Sequence, residues 1–189
     1  QSEESLSGRR LRQRSFTAFR MTANHMSDFV HLHVHSHYSL LDGLPKIDEL
    51  VKKAKSMGYK ALALTDHGNM YGAIEFYECC LKEGIKPIIG MEAYMAPGSR
   101  FDKDKDDRYY HLILLAENYI GYKNLMKLSS LANLEGFYYK PRMDKELLKQ
   151  YHEGLIASSA CLSGEIPWIL HKEDNFAKAK KVALEYQDI

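Results

Sequence analysis

From Asp28 onward, short apolar runs alternate with longer stretches of helical periodicity, and that order leaves few folds open. Residues 29–34 read as a strand. Residues 45–57 read as a helix, with Ile47, Leu50, Val51, Ala54 and Met57 at helical spacing, Pro45 near the start and Gly58 at the stop. Strands follow at 59–64, 87–94, 110–116 and 154–158, with helices at 71–81 (closed by Gly84), 120–132 and 176–186. The polar stretch 98–108 reads as an exposed loop. Alternation of this kind predicts an α/β domain whose parallel strands are joined by crossover helices, as a doubly wound sheet or a barrel.

Histidines mark the strand ends. In His31-Leu32-His33-Val34-His35 three imidazoles alternate, so a regular strand aims them all to one side. Each ring carries two nitrogens that need partners, which makes such a row a poor core and a good metal site. Beyond the first strand lies Asp42, beyond the second Asp66 and His67, and on the third Glu92. His111 is the exception, near the beginning of its strand, and Cys161 follows the fifth. Strands whose ends converge on one mouth favour a barrel-like arrangement.

Imidazoles, carboxylates and a thiol suit zinc, manganese or iron, and they are too many for one tetrahedral ion. A cluster of two or three ions follows, with Glu92 chemically suited to bridge them. Such a cluster suits phosphoester hydrolysis, since it activates water and stabilises the attacking and leaving oxygens. Taken singly, a histidine such as His111 is more often a hydrogen-bonded core residue, Glu92 is open to reading as a paired buried carboxylate, and a lone Cys161 is most often a small buried hydrophobe. His31 and His37 stay outside the set.

Composition narrows the rest. A net charge of +1 over 189 residues produces no global field toward nucleic acid or membrane. No apolar run approaches the roughly 18 residues of a membrane span. The three cysteines, Cys79, Cys80 and Cys161, form no disulfide framework and point to a reducing cytoplasm. Residues 1–25, rich in arginine and serine, read as a leader or expression extension, and the domain as 26–189. Lys140 and Arg142 stand beside Phe137, Tyr138 and Tyr139, either as contacts to a DNA strand or as part of an amphipathic loop packed on the domain.

The run from His31 through Ser36-His37-Tyr38-Ser39-Leu40-Leu41-Asp42-Gly43 resembles the opening of the polymerase and histidinol phosphatase (PHP) domain. The similarity is to the form at the N-terminus of bacterial replicative DNA polymerase alpha subunits. Five further segments match in order: 63–72, 84–94, 110–116, 137–142 and 160–166. The resemblance implies a distorted barrel of seven β/α units, with metal ligands His33, His35, Asp42, His67, Glu92, His111 and Cys161. The same resemblance implies that Glu92 bridges ions and that Asp66 orients a ligand or a bound water. It implies a metal-dependent phosphoesterase, in polymerases a 3′–5′ proofreading exonuclease, with DNA and other replicative subunits as partners. Members that have lost ligands serve instead as a structural and docking module, and stand-alone relatives are small-molecule phosphatases. The family's late Asp-x-His motif has no counterpart before Ile189. A barrel incomplete at its C-terminus is therefore expected, without the polymerase active site and with an exposed sheet edge.

Overall fold

The computed structural model describes residues 29–103 and 108–189, so the leader expected at 1–25 lies outside the described residues. The chain runs α1 (Ile47–Ser56), β1 (Ala61–Leu64), α2 (Ala73–Glu83), β2 (Lys86–Met95), β3 (Tyr110–Ala116) and α3 (Tyr119–Leu134). It continues with β4 (Phe137–Tyr138), β5 (Lys140–Met143), α4 (Lys145–Gln150), β6 (Leu155–Ser158), α5 (Glu165–Lys172) and α6 (Phe176–Gln187). The expected helices and four of the five expected strands are present. The hairpin β4–β5 and helices α4 and α5 lie in stretches whose apolar patterns are too short to read.

Local chemistry accounts for the element ends. Asp48 and Glu49 stand in the first turn of α1 and Lys53 and Lys55 in its last, complementing the helix dipole. Gly84 ends α2 in the left-handed conformation (φ 68°), its N–H returning to the last turn. Side-chain oxygens of Asn118, Asp144 and Asn175 accept from backbone N–H groups at the starts of α3, α4 and α6.

The α/β class stands, but the sheet is mixed rather than all parallel. Its order is β4-β5-β2-β3-β6, with β1 also on β2. β1 and β5 pair with β2 in parallel, whereas β3 runs antiparallel to β2 and β6 antiparallel to β3. Hydrophobic periodicity reports which side chains are buried and is silent on strand direction. β2 is long enough to take two neighbours on one edge: β1 along Lys86–Ile89 and β5 at Tyr94 and Met95. The far edge strand among the described residues, β6, leaves Ile156 about half exposed.

The expected first strand is not regular. Ala63 N–H donates to His31 O and Thr65 N–H to Val34 O, so three residues here oppose two on β1. The Thr65 hydroxyl fills the gap, accepting from Val34 N–H and reaching Val34 O. This bulge breaks the alternation. The loop after β2 is also less free than expected: Arg100 pairs with Glu135 (2.7 Å) and Asp144 (3.0 Å).

Two apolar layers hold the sheet. Met91, Ala93 and Met95 of β2 and Tyr110, Leu112 and Leu114 of β3 pack on Leu125, Leu128 and Ala132 of α3. Leu62 and Leu64 of β1 pack on Ile47, Val51 and Ala54 of α1 and Phe76 and Cys80 of α2. Burial pushes the Cys80 thiol up to about 12, so it acts as a core hydrophobe. The alternate residues Thr65, His67, Glu92, Tyr94 and His111 belong to the opposite face. Leu128 is fully buried and Leu134, one and a half turns on, is 81% exposed. Leu128→Ala is expected to cost about 2–5 kcal/mol in urea unfolding, and Leu134→Ala about 0.5 kcal/mol or less.

Candidate metal centre

Glu92 is the centre of the site. Its side chain is 1% exposed, and four imidazoles face its two oxygens. His33 Nε2 and His111 Nδ1 approach Oε1 at 3.1 and 2.8 Å; His35 Nε2 and His67 Nδ1 approach Oε2 at 3.0 and 2.8 Å. Strand register brings them there. His67 bridges to Glu92 in continuation of β1, and on β3 His111 pairs with Tyr94, one same-face step from Glu92. Because β3 is antiparallel, its first residues lie beside the last residues of β2. This resolves why His111 stands at the beginning of its strand.

The bulge sorts the histidines of the first segment. His33 and His35 reach the centre, whereas His31 turns to the Tyr59 hydroxyl (3.1 Å) and the Phe29 ring. His37 lies against the Tyr38 ring. The single-sided row expected of a regular strand is therefore reduced to two.

Asp66 does not face the centre. It is 2% exposed, and its carboxylate accepts from Ser36 N–H (2.7 Å), Ser36 Oγ (2.8 Å) and Ser39 Oγ (2.7 Å). With that hydroxyl proton committed, Ser39 Oγ accepts from His67 N–H (3.0 Å) and from His35 Nδ1 (2.8 Å). His35 thus carries its proton on Nδ1 and presents an Nε2 lone pair to Glu92 Oε2 and, at 3.1 Å, to His33 Nε2. Asp66 is a positioning residue acting through Ser39, whose only signal in sequence is its place four residues after His35.

His67 repeats the pattern. Its Nε2 lies 2.6 Å from Asp42 Oδ2, which can only accept when ionised, so Nε2 holds a proton. Nδ1 then stands 2.8 Å from Glu92 Oε2 without hydrogen-bond alignment, and both atoms are buried with no hydrogen bond to any described residue. Acceptors turned on one another at this distance call for a cation or an added proton. Burial pushes the His67 imidazole down, but Glu92 and Asp42 more than offset it and leave it above 6.5. Burial likewise pushes Glu92 up, and His111, His33, His35 and His67 hold it well below the carboxylate range. The hydrogen bond from His67 lowers Asp42.

Three overlapping trios each bring their ligand atoms within 4.8 Å: His33, His35 and Glu92; His35, Asp42 and His67; His67, Glu92 and His111. Cys161 lies at the margin, exposed, with Sγ 3.6 Å from His111 Nδ1 and 3.8 Å from Glu92 Oε1. A cleft of about 470 Å³ opens over the cluster, lined by Asp42, His67, Tyr94, Tyr109, His111 and Lys140 among others. Tyr94 stacks on His67 (5.8 Å, 11°) and Tyr109 on His111 (5.9 Å, 7°), two aromatic walls not expected from sequence. Lys140 lies at the rim with Nζ 5.5 Å over the Tyr94 ring. Arg142, read either as a DNA contact or as part of a packed loop, is 3% exposed and donates to the carbonyls of Gly136 and Asp102. It is turned into the protein and cannot meet a strand at the surface.

Metal ions and protons compete for these groups. In the metal-free chain, stability from the raised His67 is complete below its ordinary value of 6.5 and is lost as pH rises through the folded value. Stability from Glu92 and Asp42, both lowered, is lost only as pH falls through the acid range. The gap in melting temperature between manganese-loaded and chelator-treated protein is therefore expected to widen from pH 6 to pH 8. A gap that stays constant or narrows in calorimetry contradicts this electrostatic account.

The PHP domain model matches residues 31–189. A DNA polymerase III subunit alpha from Treponema pallidum is 61% identical over 145 residues, covering 75% of this chain and 12% of the relative. Those of Aquifex aeolicus and Thermus aquaticus are 55% and 50% identical, covering 86% and 80% of this chain and 15% and 13% of theirs. The chain thus spans about an eighth of the length of these relatives. Among solved structures, an amidohydrolase from Chromobacterium violaceum matches at TM-score 0.40 and 24% identity over 54% of this chain and 34% of that one, a likeness too low to bear on the site. Among the described residues no helix is long and apolar enough to cross a membrane. By its matched length and its motifs, this chain belongs to the PHP domain family.

Proposed function

We propose that this chain is the PHP domain of a DNA polymerase III alpha subunit, and that its own chemistry is metal-dependent phosphoester hydrolysis. The substrate we assign is the 3′-terminal phosphodiester of a mispaired strand, with DNA and the other subunits of the replicative polymerase as the partners of the longer protein. The observation that carries this reading is Glu92, buried and faced by four imidazoles, two of them with lone pairs held toward it. A lone structural carboxylate needs one or two donors; it does not need acceptors fixed against it by Asp66, Ser39 and Asp42.

The residues fit a cluster of two or three divalent ions, with zinc, manganese and iron all compatible with the donor set. His33, His35, Asp42, His67, Glu92 and His111 would hold it, with Cys161 joining from the margin. When bound, such ions supply Lewis acidity to a phosphoryl oxygen and a more acidic water. The protein's own part is orientation. Ser39 and Asp66 hold the His35 ring and its tautomer, and Glu92 ties both halves of the site together. Tyr94 and Tyr109 back the rings of His67 and His111, limiting their rotation and keeping water from that side. Asp42, exposed at the mouth beside His67 Nε2, is placed to exchange a proton with solvent.

A primer with a mispaired 3′ end, incubated with the manganese-supplemented chain, is expected to lose its terminal nucleotide. His33→Ala and Glu92→Gln should each slow that release by about a hundredfold or more. Hydrolysis unaffected by either change, or metal-loaded protein without hydrolysis, overturns the catalytic reading and leaves the domain a structural and docking module.

A further inference from the structure

Four non-glycine residues among those described adopt left-handed backbone: Leu41 (φ 69°), Tyr139 (φ 56°), Ala160 (φ 59°) and Asp174 (φ 47°). Leu41 immediately precedes Asp42 and Ala160 immediately precedes Cys161, so two of these strained positions aim residues of the metal centre. Tyr139 immediately precedes Lys140, at the tip of the β4–β5 hairpin and on the wall of the same cleft. A bulky residue at positive φ is disfavoured where glycine or asparagine fits, and such strain persists where a site requires it.

Packing does not explain the aromatic ring at this position, because Tyr139 is 76% exposed. The hairpin beneath it is nonetheless held. Arg142 donates to Gly136 O and Asp102 O and sets its guanidinium 5.3 Å over the Tyr138 ring, whose centroid lies 4.8 Å from that of Tyr139 in an edge-on arrangement. Lys140 Nζ projects over Tyr94, which itself stacks on His67, so its charge stands beside the metal centre. Phe137 and Tyr71, 53% and 73% exposed, extend the cleft with further aromatic surface. A small phosphate ester has no use for such a rim. An unstacked nucleotide does, because base stacking on an aromatic ring and a cation on the phosphate are the two contacts that hold single strands.

We propose that the β4–β5 tip is the single-strand platform of this cleft, with Tyr139 stacking on the terminal base of a single-stranded 3′ end and Lys140 holding its phosphate. The inference rests on the phosphoesterase reading for its location, but its test reads binding alone. The probe is a fluorescein-labelled single-stranded oligonucleotide with a hydrolysis-resistant phosphorothioate 3′ linkage, made with and without the terminal base, its affinity for the whole manganese-loaded chain followed by anisotropy. Tyr139→Ala is expected to weaken binding about tenfold with the base present and to have little effect on the abasic probe. Tyr139→Phe should retain affinity. Lys140→Met should weaken both probes and reduce the salt dependence by about 0.7 in slope. Tyr139→Gly should raise the unfolding midpoint while losing the same affinity as Tyr139→Ala, separating relief of strain from loss of contact. Failure of the unaltered chain to bind, full affinity in Tyr139→Ala, or equal loss on both probes overturns the platform. Binding lost as predicted in a chain that hydrolyses nothing keeps the platform and removes the phosphoesterase reading.

Discussion

The carboxylate of Asp66, buried behind the candidate metal centre, is the contact on which the rest of the site depends. It gathers three donors from Ser36 and Ser39 and so fixes the turn after the first segment. Using the hydroxyl proton of Ser39, it obliges that oxygen to accept from His35, which turns a lone pair toward Glu92. A buried, ionised carboxylate is costly to desolvate, by several kcal/mol even after relaxation, unless donors or cations surround it. Glu92 obtains them from rings whose protons are partly spoken for elsewhere, by Ser39 and by Asp42. The cluster therefore must take up protons or metal ions, and its pH behaviour and its chemistry have one origin.

The sheet makes that arrangement possible. One face of β2 and β3 carries the apolar side chains that bury against α3, and the other carries Glu92, Tyr94 and His111. A shift of one residue in either strand exchanges these faces, so burial of the apolar set also sets the register of the site. Parallel pairing of β1 and antiparallel pairing of β3 deliver His67 and His111 from opposite directions to the same end of β2.

Much of this was legible in the residues alone. The alternation of His33 and His35, the position of His67 just beyond β1 and that of Glu92 within β2 point to this cluster of ligand-competent groups. His111 looked out of place because periodicity carries no strand direction. His31, already left outside the set, turns away where Thr65 inserts a hydroxyl in place of a regular ladder, a local event with no sequence period. Sequence left Arg142 open between a DNA contact and a packed loop because side-chain burial in a short hairpin follows from what lies beneath it, here the carbonyls of Gly136 and Asp102. Ser39, Tyr94 and Tyr109 were invisible as site residues, since hydroxyl relays and ring walls carry meaning only once the ligands they support have been placed. Tyr139 is the converse case, an ordinary aromatic in sequence whose backbone conformation singles it out.

As the carboxylate shared by four imidazoles, Glu92 is proposed to join them into one multi-ion centre. Elemental analysis of bound metal in the unaltered chain and in Glu92→Gln, after dialysis against manganese or zinc, tests it directly. Two or three ions per chain, lost together in Glu92→Gln, is the result predicted by a bridging carboxylate. A chain that binds none, or a Glu92→Gln variant that keeps the full complement, contradicts it.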